Sequence, residues 1–192
     1  MRHGRLLGRG TAVVGVVVAL LAATGCSGLP GGKERNGGLA YEPQRLSMER
    51  ADVLYRRSAD KIEEVAGIRH DADASQPWRM ECEGVDHGYR IHNLWFLTGP
   101  PKGELREAMD RLHRVLPKRG WKAYRYARAH SKARQLQLDV EEMTRHHTAV
   151  IELILPSTYR HPSKWEKNDP DSIQISMDSP CYVDPEYDAP YG

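Results

Sequence analysis

Several groups along this chain have side chains and spacing that could support chemistry. His70, Asp71 and Asp73 in "HDAD", and Asp86, His87 and His92 in "DHGYRIH", bring nitrogen and oxygen donors close together. Neither spacing matches H-E-x-x-H or a calcium loop. His87 reads as solvated in a turn and His92 as lying on the exposed face of a strand, so no metal is expected. His146 and His147 are adjacent, and on a strand they would point to opposite faces and could not hold one ion together. Ser157 and His161 lie four apart in a proline-containing loop, without the G-x-S-x-G elbow of a serine hydrolase. No glycine-rich loop follows a strand and opens a helix, so no nucleotide cofactor is expected either. No residue is assigned a catalytic role.

The clearest asymmetry is electrostatic. Between Arg111 and Arg134 stand nine Lys/Arg and no acid, interleaved with Trp121, Tyr124 and Tyr126. Lys122, Arg125, Arg128 and Lys132 form the candidate basic surface within that run. Three readings compete: a solvated face neutralised by the later acidic segments, a surface for anionic headgroups or anionic wall polymer, and a dock for an acidic envelope protein. Nucleic acid is not expected. The whole chain has 28 Lys+Arg against 26 Asp+Glu, and residues 1–25 hold three arginines and no acid. Without that segment the balance is 25 against 26, so the basic character belongs to the N-terminus.

That N-terminus has the layout of a secretory signal. Three arginines in the first nine residues precede an uncharged run from Gly10 to Ala23, and the small Thr24 and Gly25 precede Cys26. The apolar run is shorter than the roughly 20 residues a helix needs to span hydrocarbon. Ala23-Thr24-Gly25-Cys26 resembles the lipobox of bacterial lipoproteins, although Ala23 stands where Leu is usual. The resemblance implies cleavage after Gly25 and lipid on the Cys26 thiol. "SGLPGGKERNGGLAYEPQ" then reads as a tether with five glycines and two prolines. Cys82 and Cys181 remain as an even pair bound for an oxidising compartment, so a disulfide is preferred over two unrelated thiols.

Periodicity supplies the elements that must position these groups. Met48, Ala51, Tyr55, Ile62 and Val65 predict a helix over 48–66, with Ser47 as N-cap and Gly67 as its stop. "RMECEGV" alternates Met80 and Cys82 inward, and with "YRIHNLWFL" predicts a hairpin turned at Asp86–Gly88. Leu105, Ala108, Met109, Leu112, Val115 and Leu116 make the stripe of a second helix, ended by Pro117 and Gly120. Strands follow at "WKAYRYA", "RQLQLDVE", "TAVIELIL" and "DSIQISMD". A 16-residue loop, "PSTYRHPSKWEKNDPD", carries Tyr159 and Trp165 as either binding or packing aromatics.

Runs of sequential strands predict an α+β two-layer sandwich, a mostly antiparallel sheet with two helices on one face and one disulfide. The expected organisation is a signal peptide over 1–25, a flexible tether over 26–46, a domain over 47–182 and an acidic disordered tail over 183–192. The whole layout is similar to that of small extracytoplasmic lipoproteins of actinobacteria, including the LppA-like group. Shared points are the lipobox, the linker, the leading helix, early Cys82, the Arg119-Gly120-Trp121 step and late Cys181. That resemblance implies a lipid-anchored protein on the extracytoplasmic face of the cell membrane, and it implies no activity. The expected function is a non-enzymatic binding module. The alternative is an envelope hydrolase or metal-binding protein with a His/Asp site.

Overall fold

Ser47 is extended at φ −65° and ψ 149°, and its hydroxyl accepts from the Arg50 N–H, so helix α1 (Met48–Ala66) starts where the sequence predicts. Gly67 ends it at φ 68°, where a side chain would be strained, and its N–H returns to the Glu63 carbonyl. The computed structural model describes residues 39–69, 76–131, 133–160, 163–164 and 168–188. Gly25, Cys26, most of the tether, His70, Asp71, Asp73, Lys132, His161 and Trp165 lie outside the described residues.

The strands are β1 (Gln44–Arg45), β2 (Trp78–Glu81), β3 (Gly88–Leu97), β4 (Trp121–Arg128), β5 (Leu136–Glu142), β6 (Thr148–Ile154), β7 (Ser172–Asp178) and β8 (Tyr182–Val183). The second helix, α2 (Lys102–Val115), lies between β3 and β4. One sheet contains all eight strands in the order β1-β8-β3-β7-β6-β5-β4, with β2 on the other edge of β3. Every pairing is antiparallel except β1 with β8. The fold is therefore α+β, with the helices on one face as expected.

That face holds the core. Tyr55 and Ile62 of α1 and Leu105, Met109 and Leu112 of α2 are buried with Ile91, Trp95, Leu138, Ile151, Ile173, Ile175 and Met177 from the sheet. Tyr55 also donates its hydroxyl to the Met177 carbonyl at 2.6 Å, tying α1 to β7. Among the described residues no helix covers the other face, and Trp78, Phe96, Val150 and Tyr124 are exposed there.

Several details depart from expectation. Met48 is exposed, because the first turn of α1 extends past the sheet. Met80 is exposed on β2, an edge strand with its outer face uncovered, and Cys82 lies just beyond the strand. Val115 is only partly buried. The chain after α2 tightens into a 3-10 turn, Leu116–Arg119, before Gly120 at φ 88°. Gln44–Arg45, placed in the tether by sequence, and Tyr182–Val183, where the tail was to begin, pair as short strands. Pro185–Asp188 adds a 3-10 turn beyond them.

The Cys82–Cys181 bridge forms, with sulfurs 2.04 Å apart, and ties the β2–β3 turn to β8. Val85 is buried beside it, with Leu39 and Val183 packed against the pair. Among the described residues no helix is long and apolar enough to cross a membrane.

Candidate functional site

The basic run folds into β4, and there the backbone divides it. Trp121 is buried on the helix side, so pleat alternation sends Lys122 to the open face, directly across from Glu141. A bulge between Ala123 and Arg125 inserts Tyr124 and shifts the phase by one residue. Arg125 therefore joins Lys122 on the open face, across from Asp139, while Tyr126 and Arg128 stand opposite the inward Leu138 and Leu136. Of the candidate surface Lys122, Arg125, Arg128 and Lys132, the first three are described and they do not share one face. Two of its members face cross-strand acids and one faces the helices.

Other cations of the run have structural duties. Arg111 donates to the Val65 carbonyl at 2.9 Å and to the Ala66 carbonyl, closing the end of α1. Arg119 meets Glu64 at 2.6 Å. Lys122 lies over the Tyr124 ring, 4.5 Å from its centre.

Arg128 opens into a cleft of about 320 Å³ between α2, the β4–β5 turn and the segment after β6. Arg106 and Asp110 of α2, Arg134, Leu136, Leu153 and Leu155 are among its lining residues, the last two of them buried. Arg128 is held by a 3.1 Å bond to the Arg134 carbonyl. Arg134 itself sits at φ 48°, a region uncommon for residues other than glycine. Its N–H bonds Ser131, which fixes the turn that carries it. Asp110 accepts the Tyr126 hydroxyl at 2.6 Å, and His113 stacks on that ring. Burial first, then the Asp110 bond, pushes the Tyr126 hydroxyl well above its ordinary range. Among the described residues, no carboxylate makes an ion pair with Arg106, Arg128 or Arg134. The cleft thus presents three guanidinium groups against one carboxylate.

A second cluster lies inside the fold, under α1. Ser58, Glu142, His147 and Tyr182 are all buried. Tyr182 donates to His147 Nε2 at 3.0 Å, His147 Nδ1 donates to Ser58 Oγ at 2.7 Å, and Ser58 donates to Glu142 Oε2 at 2.5 Å. This tautomer is assigned from the partners, because His147 and Ser58 then each donate one of these bonds and accept one. Lys61 at 3.0 Å and Arg145 complete the carboxylate. Burial lowers the His147 pKa to about 4, against a smaller opposing pull from Glu142. For Glu142, burial acts to raise the pKa, but the bonds from Ser58 and Lys61 and the Arg145 charge outweigh it and hold it low. Burial also raises Tyr182 to about 12.

The cluster has the residue types of a serine hydrolase triad without its layout. Ser58 gives its proton to the carboxylate rather than to the histidine, and its side chain is sealed from solvent. Its chemistry is to hold one neutral imidazole and one compensated carboxylate between α1 and the sheet.

The other groups marked in the sequence are not brought together. His92 binds Asp178 at 2.9 Å beside the Trp78 ring, so it is partnered on the open face. His87 is 3.5 Å from its neighbour Asp86. His146 is exposed and bonds Glu141, while His147 points inward, from the β5–β6 turn rather than from a strand. Ser157 donates to Asp171 at 2.6 Å. Among the described residues no three His, Cys, Asp or Glu side chains could hold a metal. Comparison with protein-family models, with curated proteins and with solved structures finds no match for the chain.

Proposed function

We propose that this chain is a membrane-anchored, extracytoplasmic binding module, held by lipid on Cys26 and acting without catalysis on an anionic component of the cell envelope. The observation that carries the binding part is the cleft lined by Arg106, Arg128 and Arg134, which make no ion pair with a carboxylate among the described residues. Guanidinium groups are poorly hydrated forks suited to paired contacts with phosphate or carboxylate. All three side chains are exposed, so water solvates them until an anion arrives. Among the described residues that line this cleft there is one carboxylate, Asp110, and no histidine. The anchoring part rests on the sequence before Cys26.

One preparation tests both parts. The full chain, extracted from membranes, is expected to have an intact mass starting at lipidated Cys26, and to be retained on immobilised polyphosphate at low salt. Replacing Arg106, Arg128 and Arg134 together by Gln should move elution to clearly lower salt, while Lys122→Gln with Arg125→Gln should leave it nearly unchanged. A mass that retains residues 1–25 removes the anchor. Equal elution of all three proteins removes the binding site.

A further inference from the structure

We infer that the cleft takes a phosphate ester carrying free hydroxyl groups, presented as a polymer of polyol or sugar phosphate. This inference rests on the anion-binding reading above and names the ligand class for that site.

Asp110 carries it. The residue lines the same cleft as Arg106, Arg128 and Arg134, yet among the described residues it makes no ion pair with any of them. Asp110 and Arg106 are four apart on α2, a spacing that commonly pairs opposite charges on one helix face. Here the carboxylate is turned to β4 instead, where its Oδ1 accepts the Tyr126 hydroxyl at 2.6 Å. His113 stacks on the Tyr126 ring with centres 4.1 Å apart, which steadies the phenol that holds the carboxylate. Among the described residues no hydrogen bond reaches Oδ2, so that oxygen is left as an acceptor in the cleft. A second lining residue is oriented in a similar manner. The Ser131 hydroxyl donates to Gln135 Oε1, which leaves the amide nitrogen of Gln135 as its donor.

Ligand classes differ in how they meet these groups. A chain of bare phosphates has acceptors only, so it gives Asp110 nothing to accept and brings a like charge beside it. An ammonium would suit Asp110, but it would stand one helical turn from the like charge of Arg106. A hydroxyl donates to Oδ2 without carrying charge, accepts from Gln135 and leaves the phosphate to the guanidinium groups. Three guanidinium groups against one carboxylate leave an excess of two positive charges in the cleft. Two phosphodiester groups match that excess and one does not, which favours a polymer over a single unit.

Calorimetric titration of the full chain in detergent compares glycerol phosphate with propyl phosphate, which has the same charge and carbon skeleton but no hydroxyl. Glycerol phosphate should bind about ten-fold more tightly, the worth of one hydrogen bond to a charged group. Asp110→Asn keeps an acceptor for Tyr126 and should bring the two affinities together, by weakening glycerol phosphate and tightening propyl phosphate. Equal affinities in the native chain, no binding of either, or a preference that survives Asp110→Asn overturns the hydroxyl assignment. Ethanolamine phosphate binding more tightly than glycerol phosphate also overturns it, by giving Asp110 to an ammonium. A chain of three glycerols joined by two phosphodiesters should bind more tightly than two glycerols joined by one; equal or weaker binding overturns the polymer. If glycerol and propyl phosphates behave alike while polyphosphate still retains the chain through the three arginines, the ligand class alone is wrong. If polyphosphate retention fails too, the binding module falls with it.

Discussion

His147 is the residue where burial has the largest chemical consequence. It titrates at about 4 in the folded chain against an ordinary value of 6.5, because its ring has no water and only a partly compensating carboxylate. Between those values the unfolded chain binds a proton that the folded chain refuses, so stability falls as pH drops from about 6.5 and the loss is complete near 4. The loss is on the order of 3 kcal/mol. Glu142, held below its ordinary 4.5, adds a further loss at the acid end as it becomes protonated. Urea midpoints measured from pH 7 to 4.5 should therefore decline for the native chain, and His147→Gln should flatten that decline whatever its absolute stability. An unchanged slope in the variant would contradict the assignment. Sequence contains partial signals for this cluster. Ser58 stands on the buried stripe between Tyr55 and Ile62, and Glu142 continues the inward alternation of Leu138 and Val140. Their meeting with His147 was not legible, because 84 and 89 residues separate Ser58 from its two partners.

Elements with strong periodicity were readable. Helix α1 has the bounds its apolar spacing and capping residues predict, and the long strands fall where alternation placed them. Two kinds of feature escaped. Strands of two residues, such as β1 and β8, have no period to detect, and they form because the disulfide and the Leu46 N–H to Val183 bond bring them together. The bulge at Tyr124 is equally silent in sequence, yet it decides which face receives Arg125 and Arg128. The cysteine pairing was legible by counting, and its energetic weight can be stated. With the cysteines 99 positions apart in sequence, loop-closure entropy gives the bridge roughly 4–5 kcal/mol. Replacing both cysteines by Ser should lower the urea midpoint by a corresponding amount with little change in slope. A shift worth less than about 1 kcal/mol would show that the β2–β3 turn and β8 are held by their backbone bonds instead.

At the scale of the whole molecule, one end of the sheet gathers the disulfide and the incoming chain, and the other opens the arginine cleft. The sequence announced the cations but not the site, because Arg106 and Arg134 lie on different elements and only the fold sets them beside Arg128. The uncovered sheet face, with Trp78 and Phe96 exposed, is the competing surface for any partner. Nuclear magnetic resonance separates the two most directly, by following arginine Nε–H and tryptophan indole signals of the full chain during titration with a short polyphosphate. The account predicts shifts at Arg106, Arg128 and Arg134, with Arg125 and the Trp78 indole unmoved. Shifts confined to Trp78, Phe96 and Arg125, or none at any of these groups, would contradict it.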